Sequence, residues 1–590
     1  MKNIRFEFDC QREVPFYGHL CNQYLLNDQY DVTIGQTGNN YFIEAKGEQP
    51  ALEQLADAIA EDFLISSWLI KPNISLIESP IGNNKLLQHT PLLQEYCQHC
   101  QPHFGDNQAK YFGQLDYVCP CCQAEKRLNK QHQALGLLEL KLLVDDLESK
   151  GYVDLPTLDG KQAIQLSYKP NNAMGASERQ KLVICNPNNL NAHFVVSDQQ
   201  ILALSSIEKP LICSRAIDNH PRLTEPLYSL CFANSRLLMV ICELLRQRGV
   251  DWIYINHTDN PQLALVNAQW IPLKETGHNN TTLSYQSDKA PLHDDAHLGQ
   301  YDVHWVKDHI EVSALSLANS KNTEVAPVQE QHEAATCALH AANLGVKKAK
   351  NCAVLYLSNS NKSRIVTMDS KQKLELFFEF PTLPDNGYDI VHQIDSSPQK
   401  NLFDKFKLKY PEDYLALLEL KLSGPTNNIQ SLWAIAAIIL GATTADRNIS
   451  SNKVQLNDFV IASAMRHKGS NAPRVDFPLT RGEAFRSLNW CKTLGSIISF
   501  RLAEDGNIEK LAFGMHDSLA DFICNWIEHL DQNISIKSVV LAGSTFSNEL
   551  LGKRISLRLG KNFALNPNLQ MDLEGLNIAV GSLFLKQRRH

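Results

Sequence analysis

The chain has 590 residues, of which 44% are hydrophobic and 20% are charged, and its formal net charge is −8. This apolar fraction allows sizeable cores and excludes a wholly disordered chain. The acidic balance disfavours a basic nucleic-acid footprint, so we expect no nucleic-acid partner. At roughly 150 residues per domain, the length indicates about four domains.

The N-terminus and the cysteines bear on the compartment. Residues 1–10 contain no basic segment followed by an apolar one, so no secretory signal is predicted. The longest apolar run, residues 432–440, is shorter than the roughly 20 residues that a bilayer span requires. Fifteen cysteines, most of them scattered singly, are typical of a reducing compartment. We therefore expect a cytoplasmic protein with no membrane contact.

The first 80 residues alternate strand and helix patterns. Ile4, Phe6 and Phe8 alternate with polar residues, which predicts a strand. The pattern then predicts a helix over 16–25, a strand over 41–45, a helix over 51–69 and a strand over 73–77. This order is close to the β-α-β-β-α-β arrangement of ferredoxin-like domains.

The rest of the chain predicts further α/β structure around a polar interruption. For the middle region the patterns predict a helix over 134–150, strands over 181–185 and 210–213, a helix over 230–247 and a strand over 252–255. Residues 275–330 are rich in Asn, Asp, His and Ser, and we interpret them as a linker or long surface loop. For the last third they predict a strand over 353–357, a helix over 431–441, a strand over 538–542 and a helix over 548–559.

Four cysteines form the strongest chemical motif. Cys97 and Cys100 make one C-x2-C pair, and Cys119 and Cys122 make a second one 18 residues later. Two such pairs deliver four thiolates to one tetrahedral zinc ion, and a closed four-sulfur shell indicates a structural role. Residues 90–130 have little apolar periodicity, so this module needs a bound metal ion to hold it together in place of a hydrophobic core. Whether the extra thiol of Cys121 or a nearby imidazole such as that of His99 joins the site stays open.

A second motif follows the strand predicted over 538–542. Gly543 and Ser544 come directly after the strand, and Asn548 precedes the next helix. Small residues at such a turn let backbone N–H groups approach a nucleotide phosphate. We therefore take Gly543, Ser544 and Asn548 as candidate nucleotide-binding residues, beside the alternative of a plain strand-turn-helix.

Two histidine-containing segments carry weaker signals. His293 and His297 are spaced i, i+4 with two aspartates between them, which would suit a metal ion on a helix. Pro291 and Gly299 flank them, so we favour a solvated loop. His516 lies near the start of a helix-like run, and a packed or capping role is favoured over a catalytic one.

The zinc spacing and the order of the modules resemble the hydrogenase-maturation carbamoyltransferases of the HypF family, over nearly the whole chain. Three later segments are also similar to family motifs: 431–441 (SLWAIAAIILG) to RLFDAVAALLG, 541–551 (LAGSTFSNELL) to LSGGVFQNRLL, and 575–582 (GLNIAVGS) to DGGIALGQ. The family usually has two zinc modules, whereas this chain has one.

The resemblance implies an α/β and α+β multidomain fold. It places a ferredoxin-like, acylphosphatase-like domain at 1–85 and a small zinc module at 86–132. A YrdC-like α/β domain would follow at 133–300, and an actin-like (ASKHA) carbamoyltransferase domain at 301–590.

The resemblance also implies an activity. Family members use carbamoyl phosphate and ATP to carbamoylate a cysteine of a maturation partner, and the group becomes a cyanide ligand of a nickel–iron centre. The implied cofactors are structural zinc, with ATP and Mg²⁺ for catalysis, and the implied partner is a maturation protein carrying an acceptor cysteine.

Several family site residues are replaced in this chain. The metal-binding VQHHHAH segment falls on 328–334, where His332 is the only histidine, and the DGTGYG phosphate loop falls near 358–361 (SNSN). The late metal-binding Asp falls on Gly575, with Asp572 nearby, and the phosphate-binding Arg of the N-terminal domain falls on Tyr17. A tyrosine cannot replace a bidentate guanidinium, and lost carboxylates and imidazoles remove the charge that holds a divalent ion.

These replacements leave three hypotheses. In the first, the chain is a working HypF-like carbamoyltransferase. In the second, which we favour, it is a HypF-like protein whose catalysis is reduced or lost, with a non-catalytic zinc-binding scaffold or partner-binding relative as the alternative form. In a third, weaker hypothesis, one half-reaction survives on Gly543, Ser544 and Asn548.

Overall fold

The computed structural model describes residues 2–128, 130–155, 163–170, 178–275, 281–286, 290–314, 333–347, 349–443, 452–469, 471–481, 486–503 and 507–585. The chain forms two compact units. The N-terminal unit comprises 1–174, 180–223 and 228–262, and the C-terminal unit comprises 175–179, 224–227 and 263–590.

The N-terminal unit begins with a four-stranded antiparallel sheet. Its elements are β1 (Lys2–Cys10), α1 (Pro15–Leu25), β2 (Val32–Thr37), β3 (Asn40–Gly47), α2 (Gln49–Asp62) and β4 (Leu69–Leu76). The strand order β2-β3-β1-β4 and the βαββαβ element order confirm the ferredoxin-like prediction. Phe6 and Phe8 are buried, as the alternation in β1 predicts, and Phe8 stacks on Phe63 at 4.2 Å.

A short, mostly irregular segment with the four cysteines follows this sheet. Its described residues contain the short helices α3 (Pro102–Gly105) and α4 (Lys130–Gln133) and a 3-10 helix over Ala124–Lys126. The side chains of Cys97, Cys100, Cys119 and Cys122 are buried, and the long apolar side chains buried with them among the described residues are those of Leu92, Tyr96, Phe104, Leu115 and Leu128. The segment therefore has little hydrophobic core of its own.

A mixed seven-stranded sheet completes the N-terminal unit. Its elements are α5 (Leu137–Lys150), β5 (Tyr152–Leu155), β6 (Ile164–Ser167), β7 (Lys181–Ile184), α6 (Leu190–His193), β8 (Phe194–Val195), α7 (Asp198–Ser205), β9 (Ile212–Ala216), β10 (Tyr228–Cys231), α8 (Arg236–Gln247) and β11 (Trp252–Ile255). The strand order is β5-β6-β11-β7-β10-β9-β8.

The helix predicted over 230–247 is wrong at its start. Leu230 and Cys231 belong to strand β10, and α8 begins only at Arg236. The Ser235 hydroxyl accepts a hydrogen bond of 3.2 Å from the Leu238 backbone N–H and so caps the helix. The apolar pattern of the sequence runs through both β10 and α8 and therefore predicted one helix, although the Ser235 cap separates the strand from the helix.

The C-terminal unit begins with strands. They are β12 (Leu263–Val266), β13 (Gln269–Pro272), β14 (Thr281–Ser284), β15 (Asp295–Leu298), β16 (Tyr301–Val306) and β17 (His309–Ala314). The last four form a sheet in the order β14-β17-β16-β15. The prediction of a linker or loop is therefore wrong for most of 281–314, because these strands bury one apolar face, including Val303, Ile310 and Val312.

The remaining described elements are a five-stranded sheet, a separate two-stranded sheet and helices. They are α9 (Glu333–Ala341), β18 (Cys352–Tyr356), β19 (Arg364–Met368), β20 (Leu374–Glu379), α10 (Gly387–Asp395), α11 (Lys400–Lys409), α12 (Pro411–Glu419), α13 (Ile429–Ile439), α14 (Lys453–Arg466), β21 (Leu479–Thr480), β22 (Ser487–Leu488), α15 (Trp490–Leu502), α16 (Ile508–Ile534), β23 (Ser538–Ala542), α17 (Glu549–Leu559), β24 (Ala564–Pro567) and α18 (Leu576–Ser582). The sheet order is β20-β19-β18-β23-β24.

Two central strands of this sheet position the C-terminal site. β18 and β23 are parallel, with Tyr356 opposite Ala542 at their carboxyl ends. Every residue of β18 is buried, as are four of the five residues of β23. The loops that follow the two strands, residues 357–363 and 543–548, therefore leave the sheet at the same edge.

Within the parts of the chain that the structure describes, no helix is both long and apolar enough to cross a membrane.

Candidate functional site

The four predicted zinc ligands meet in one buried cluster. The sulfur of Cys97 lies 3.9 Å from that of Cys100 and 3.6 Å from that of Cys119, and the Cys100 sulfur lies 3.8 Å from that of Cys122. All four ligand atoms lie within 4.8 Å of one another. Four sulfurs about 2.3 Å from one tetrahedral ion would be roughly 3.8 Å apart, so the donor set and its spacing fit zinc.

Cys121 and His99 have other partners. The Cys121 carbonyl accepts a hydrogen bond of 2.7 Å from the Nε2–H of His19, and the Cys121 thiol is partly exposed. The His99 Nε2 lies 2.8 Å from a carboxylate oxygen of Asp62. The buried four-sulfur group is therefore complete without either of them.

Arg236, the first residue of α8, fastens the cysteine segment to the neighbouring sheet domain. Its guanidinium donates hydrogen bonds of 2.6 Å to the Glu95 carbonyl and of 2.8 Å to the carbonyls of Leu115 and Tyr117. The side chain is fully buried and lies 4.7 Å above the Phe104 ring. This arginine thus holds the segments that carry both cysteine pairs.

A second polar cluster lies where β18 and β23 end. The Glu574 carboxylate accepts hydrogen bonds from the Ser544 backbone N–H at 2.7 Å, the Asn361 amide at 2.6 Å and the Tyr356 hydroxyl at 3.1 Å. The Ser358 hydroxyl also donates to it. We call these five residues the Glu574 network. Burial, followed by the Glu574 charge, raises the pKa of Tyr356.

Asn359 forms a second set of hydrogen bonds between the loops that follow β18 and β23. Its backbone N–H donates to the Ser544 hydroxyl at 3.0 Å, and its side-chain oxygen accepts from the Thr545 hydroxyl at 2.9 Å. Its carbonyl accepts from the Asn428 amide at 3.2 Å, next to the start of α13. The loops after β18 and β23 are therefore bonded to each other and to a carboxylate of the chain itself.

The structure gives each predicted nucleotide-binding residue a partner within the chain. Gly543 has a φ of +103°, and a Cβ there would lie 2.1 Å from the Leu357 carbonyl oxygen, so only glycine fits. Ser544 belongs to the Glu574 network. Asn548 is buried and caps α17 by accepting from the Leu551 N–H at 3.2 Å. The strand-turn-helix itself is confirmed by β23 and α17.

His516 is a packed residue, as the favoured interpretation expected. It lies inside α16, which begins at Ile508, eight residues earlier than His516. Its Nδ1–H donates to the Ala512 carbonyl at 2.8 Å, and its Nε2 accepts from the Asn548 amide at 3.0 Å. Complete burial lowers the pKa of His516 to about 4.

Glu574 is the site residue that the sequence comparison missed. The family aspartate falls on Gly575, one position later, and Asp572 was the nearest candidate. Asp572 instead points into the chain: its carboxylate accepts from the N–H groups of Leu576 at 2.8 Å and Asn577 at 3.0 Å. Burial raises the pKa of Asp572 to about 6. A carboxylate one residue from the expected position was the only signal in the sequence.

Other family positions have structural roles or lie outside the described residues. Tyr17, at the position of the phosphate-binding arginine, is buried and donates to the Leu64 carbonyl at 2.8 Å. Residues 328–332 of the segment aligned with VQHHHAH lie outside the described part of the chain.

The histidine motif at 293–297 is partly a strand. Asp295, Ala296 and His297 lie in β15, so the loop prediction is wrong for them, whereas His293 and Asp294 precede the strand. The exposed residues of this strand are the polar ones, which gives it the composition of a loop. His293 donates through Nε2 to the Leu585 carbonyl at 2.7 Å, so the two histidines do not point to one site.

One part of the sequence matches a family model. Residues 419–581 match the family model described as the second subdomain of the carbamoyltransferase Kae1-like domain of HypF. A curated relative, protein HydE of Wolinella succinogenes, is 28% identical over 198 residues. That match spans about a third of this chain (33%) and about a third of HydE (35%).

Two solved structures share the fold. The crystal structure of full-length HypF in its phosphate- and nucleotide-bound form covers 99% of this chain and 98% of its own, with a TM-score of 0.59 and 10% identity. The T. kodakarensis HypF structure covers 98% of this chain and 97% of its own, with a TM-score of 0.62 and 10% identity. The predicted multidomain architecture is thereby confirmed. Residues 419–581 therefore match this second Kae1-like subdomain by sequence, and the chain shares the fold of the two HypF structures over nearly its whole length.

Proposed function

We propose that this chain is a HypF-like protein of nickel–iron hydrogenase maturation whose carbamoyl transfer is reduced or lost. It keeps the HypF fold and a zinc-binding cysteine module, and it acts by binding a maturation partner. Zinc is the structural cofactor in this proposal, and ATP and Mg²⁺ are at most weak ligands. The partner is a maturation protein with a cysteine of the kind that carbamoyltransferases modify.

The Glu574 network carries the proposal. A nucleotide phosphate at the carboxyl ends of β18 and β23 would need the N–H and hydroxyl donors of the two loops. The Ser544 N–H, the Ser358 hydroxyl and the Asn361 amide all donate to Glu574 instead. A phosphate there would also face the negative charge of this carboxylate.

The chemistry of the aligned positions supports the same conclusion. Carbamoyl adenylation needs a divalent ion to neutralise the triphosphate, and hard carboxylate oxygens are its usual protein ligands. Asp572 caps a helix, and Gly575 has no side chain to offer. In the N-terminal domain, Tyr17 donates its hydroxyl to a backbone carbonyl. Two sites that the family uses in series are thus altered in the same chain.

Zinc fits the proposal because the ion would stabilise the cysteine segment and would take no part in a reaction. Cys97, Cys100, Cys119 and Cys122 would hold the ion, which supplies a cross-link to a segment with little core. Arg236 then holds the segment's carbonyls against α8. A closed four-sulfur shell gives no open coordination position for a substrate.

A turnover assay tests the proposal. The zinc-loaded full chain is incubated with ATP, Mg²⁺ and carbamoyl phosphate, and AMP and pyrophosphate are followed beside an active HypF. We expect carbamoyl-phosphate-dependent release at least about 100-fold slower than that of the control, the scale expected when preorganised charge-stabilising groups are removed. Release at a rate comparable to that of the control would overturn the proposal and show a working carbamoyltransferase.

A further inference from the structure

Two histidines and an aspartate of the N-terminal unit form a continuous chain of hydrogen bonds. The Nε2 of His193, at the end of α6, lies 2.9 Å from a carboxylate oxygen of Asp251, and its Nδ1 lies 3.1 Å from the Nε2 of His220. The amides of Asn186 and Asn189 also donate to Asp251, each at 2.9 Å. The chain therefore runs from a fixed carboxylate, through one imidazole, to a second imidazole in the segment that follows β9.

The backbone beyond His220 determines where the protons of this chain lie. The N–H groups of Arg222 and Leu223 donate to the Nδ1 of His220, at 3.2 and 3.0 Å. A backbone N–H can only donate, so this Nδ1 carries no proton and the Nε2 of His220 carries one. That Nε2–H then donates to the Nδ1 of His193, whose own proton lies on Nε2 and faces Asp251. Both imidazoles are therefore neutral.

One added proton cannot enter this chain without breaking hydrogen bonds. Three protons would then occupy four ring nitrogens. One stays on the Nε2 of His193, opposite the carboxylate, and one lies between the two rings, because two N–H groups cannot face each other there. The third lies on the Nδ1 of His220, where the N–H groups of Arg222 and Leu223 lose their acceptor. The turn that these two groups close is therefore lost, whichever ring first accepts the proton.

A tryptophan ring packs against both histidines and against a guanidinium. The ring centroid of Trp252 lies 4.6 Å from that of His193 and 5.4 Å from that of His220, and the Arg222 guanidinium lies 4.3 Å from it. These neighbours help to leave Trp252 only 7% exposed. Burial, followed by the charges of His193 and Arg222, lowers the pKa of His220 from 6.5. The neutral form of this imidazole is therefore retained down to a pH below that value.

Two further titratable groups lie close to this chain. Asp218, in the same segment as His220, pairs with the Arg215 guanidinium at 2.9 Å. The Cys185 thiol lies near the carboxylate, but its hydrogen bond with another thiol, followed by burial, raises its pKa, so it stays neutral. An added charge on His220 is therefore balanced only through His193 and its carboxylate, and it is repelled by the neighbouring guanidinium of Arg222.

We propose that Asp251, His193 and His220 form a proton-sensitive latch on residues 219–223. With both imidazoles neutral the latch holds this segment in place, and one bound proton releases it. The Ile217 N–H donates to the His193 carbonyl at 2.9 Å and keeps the start of the segment in position, so the release is local. The latch uses no residue of the cysteine cluster or of the Glu574 network, and it does not depend on carbamoyl transfer.

Hydrogen exchange of the full chain tests the proposal. The protection of amides in 219–223, corrected for the intrinsic pH dependence of exchange, is compared at pH 7.5 and pH 5.5. We expect it to fall about 10-fold or more at pH 5.5, while the amides of β7, which report on wider unfolding, change little. In His220→Gln the protection of 219–223 should be the same at both pH values. His257→Gln is the matched control, because His257 is a half-exposed imidazole paired with Asp259, and it should keep the wild-type pH dependence.

Tryptophan fluorescence supplies a second measurement on the wild type. The difference between the wild type and Trp252→Phe isolates the emission of Trp252. As the pH falls from 7.5 to 5.5, this emission should move to longer wavelength and acrylamide should quench it more strongly. Unchanged protection of 219–223 in the wild type, an equal fall in His220→Gln, or unchanged quenching of Trp252 would overturn the proposal. In that case the histidines only support the fold of this segment.

Discussion

The backbone N–H of Ser544 donates a hydrogen bond of 2.7 Å to the carboxylate of Glu574. Thirty residues separate the two along the chain, and the bond closes the turn after β23. The same carboxylate accepts from the loop after β18. An anion of the protein itself thus occupies donors that an anionic ligand would need.

Replacing Glu574 by glutamine should destabilise the C-terminal unit. The Gln amide would turn one acceptor into a donor that faces the Ser544 N–H or the Asn361 amide. Leaving a buried donor unpaired costs about 1–3 kcal/mol, so we expect a clear fall in the thermal midpoint. Glu375→Gln, on the exposed side of β20, is the control and should shift the midpoint little. Equal shifts in the two variants would show that the network is energetically unimportant.

Cys119→Ser should abolish stoichiometric zinc binding, whereas Cys121→Ser should not. The Cys119 sulfur is one of the four buried donor atoms that lie within 4.8 Å of one another, and the Cys121 sulfur is not among them. Metal analysis of the purified variants, with chelator-induced unfolding of the N-terminal unit as a second readout, checks this. Zinc loss in Cys121→Ser would place that thiol in the site.

Arg236→Lys should weaken the attachment of the cysteine segment. An ammonium cannot reproduce three hydrogen bonds to the separate carbonyls of Glu95, Leu115 and Tyr117. We expect a fall in stability of about 2–4 kcal/mol and faster zinc release to a chelator. Arg246→Lys, on the same helix but partly exposed, is the control. The account is contradicted if both variants release zinc at the wild-type rate.

His516 should make stability depend on pH below neutrality. Its pKa is lowered to about 4 by burial, so between that value and the ordinary 6.5 the unfolded chain binds the proton more tightly. The contribution of His516 to the free energy of unfolding is fully present above pH 6.5. It decreases by roughly 3 kcal/mol as the pH falls towards 4. Thermal midpoints of the wild type and His516→Gln from pH 7.5 to 4.5 should converge as the pH falls. A constant difference would contradict the lowered pKa.

Elements with continuous apolar runs were predictable from the sequence. Strand β23 has the predicted bounds, and α13 lies within two residues of the predicted helix, because both are buried on all sides. The four zinc ligands were predictable for a different reason: their spacing is a local geometric requirement, and the structure brings all four together.

The sheet over 281–314 and the Glu574 network were not predictable in the same way. In β16 the outward Asp302 and His304 alternate with apolar residues. A short strand with one polar face has a composition similar to that of a loop, so it is recognised only once the neighbouring strands of its sheet are known. The Glu574 network joins residues 218 apart in sequence, as Tyr356 and Glu574 are. Such a contact depends on which strands become neighbours in the sheet, and periodicity does not specify this.

Nucleotide affinity tests the central claim most directly. Calorimetric titration of the zinc-loaded full chain with MgATP, with an active HypF as the control, measures whether the loops after β18 and β23 accept a phosphate. We predict no saturable binding below about 1 mM, where the binding free energy is only about −4 kcal/mol. A micromolar Kd that Ser544→Pro abolishes, since proline lacks the N–H, would show that Glu574 yields to nucleotide and would contradict the account.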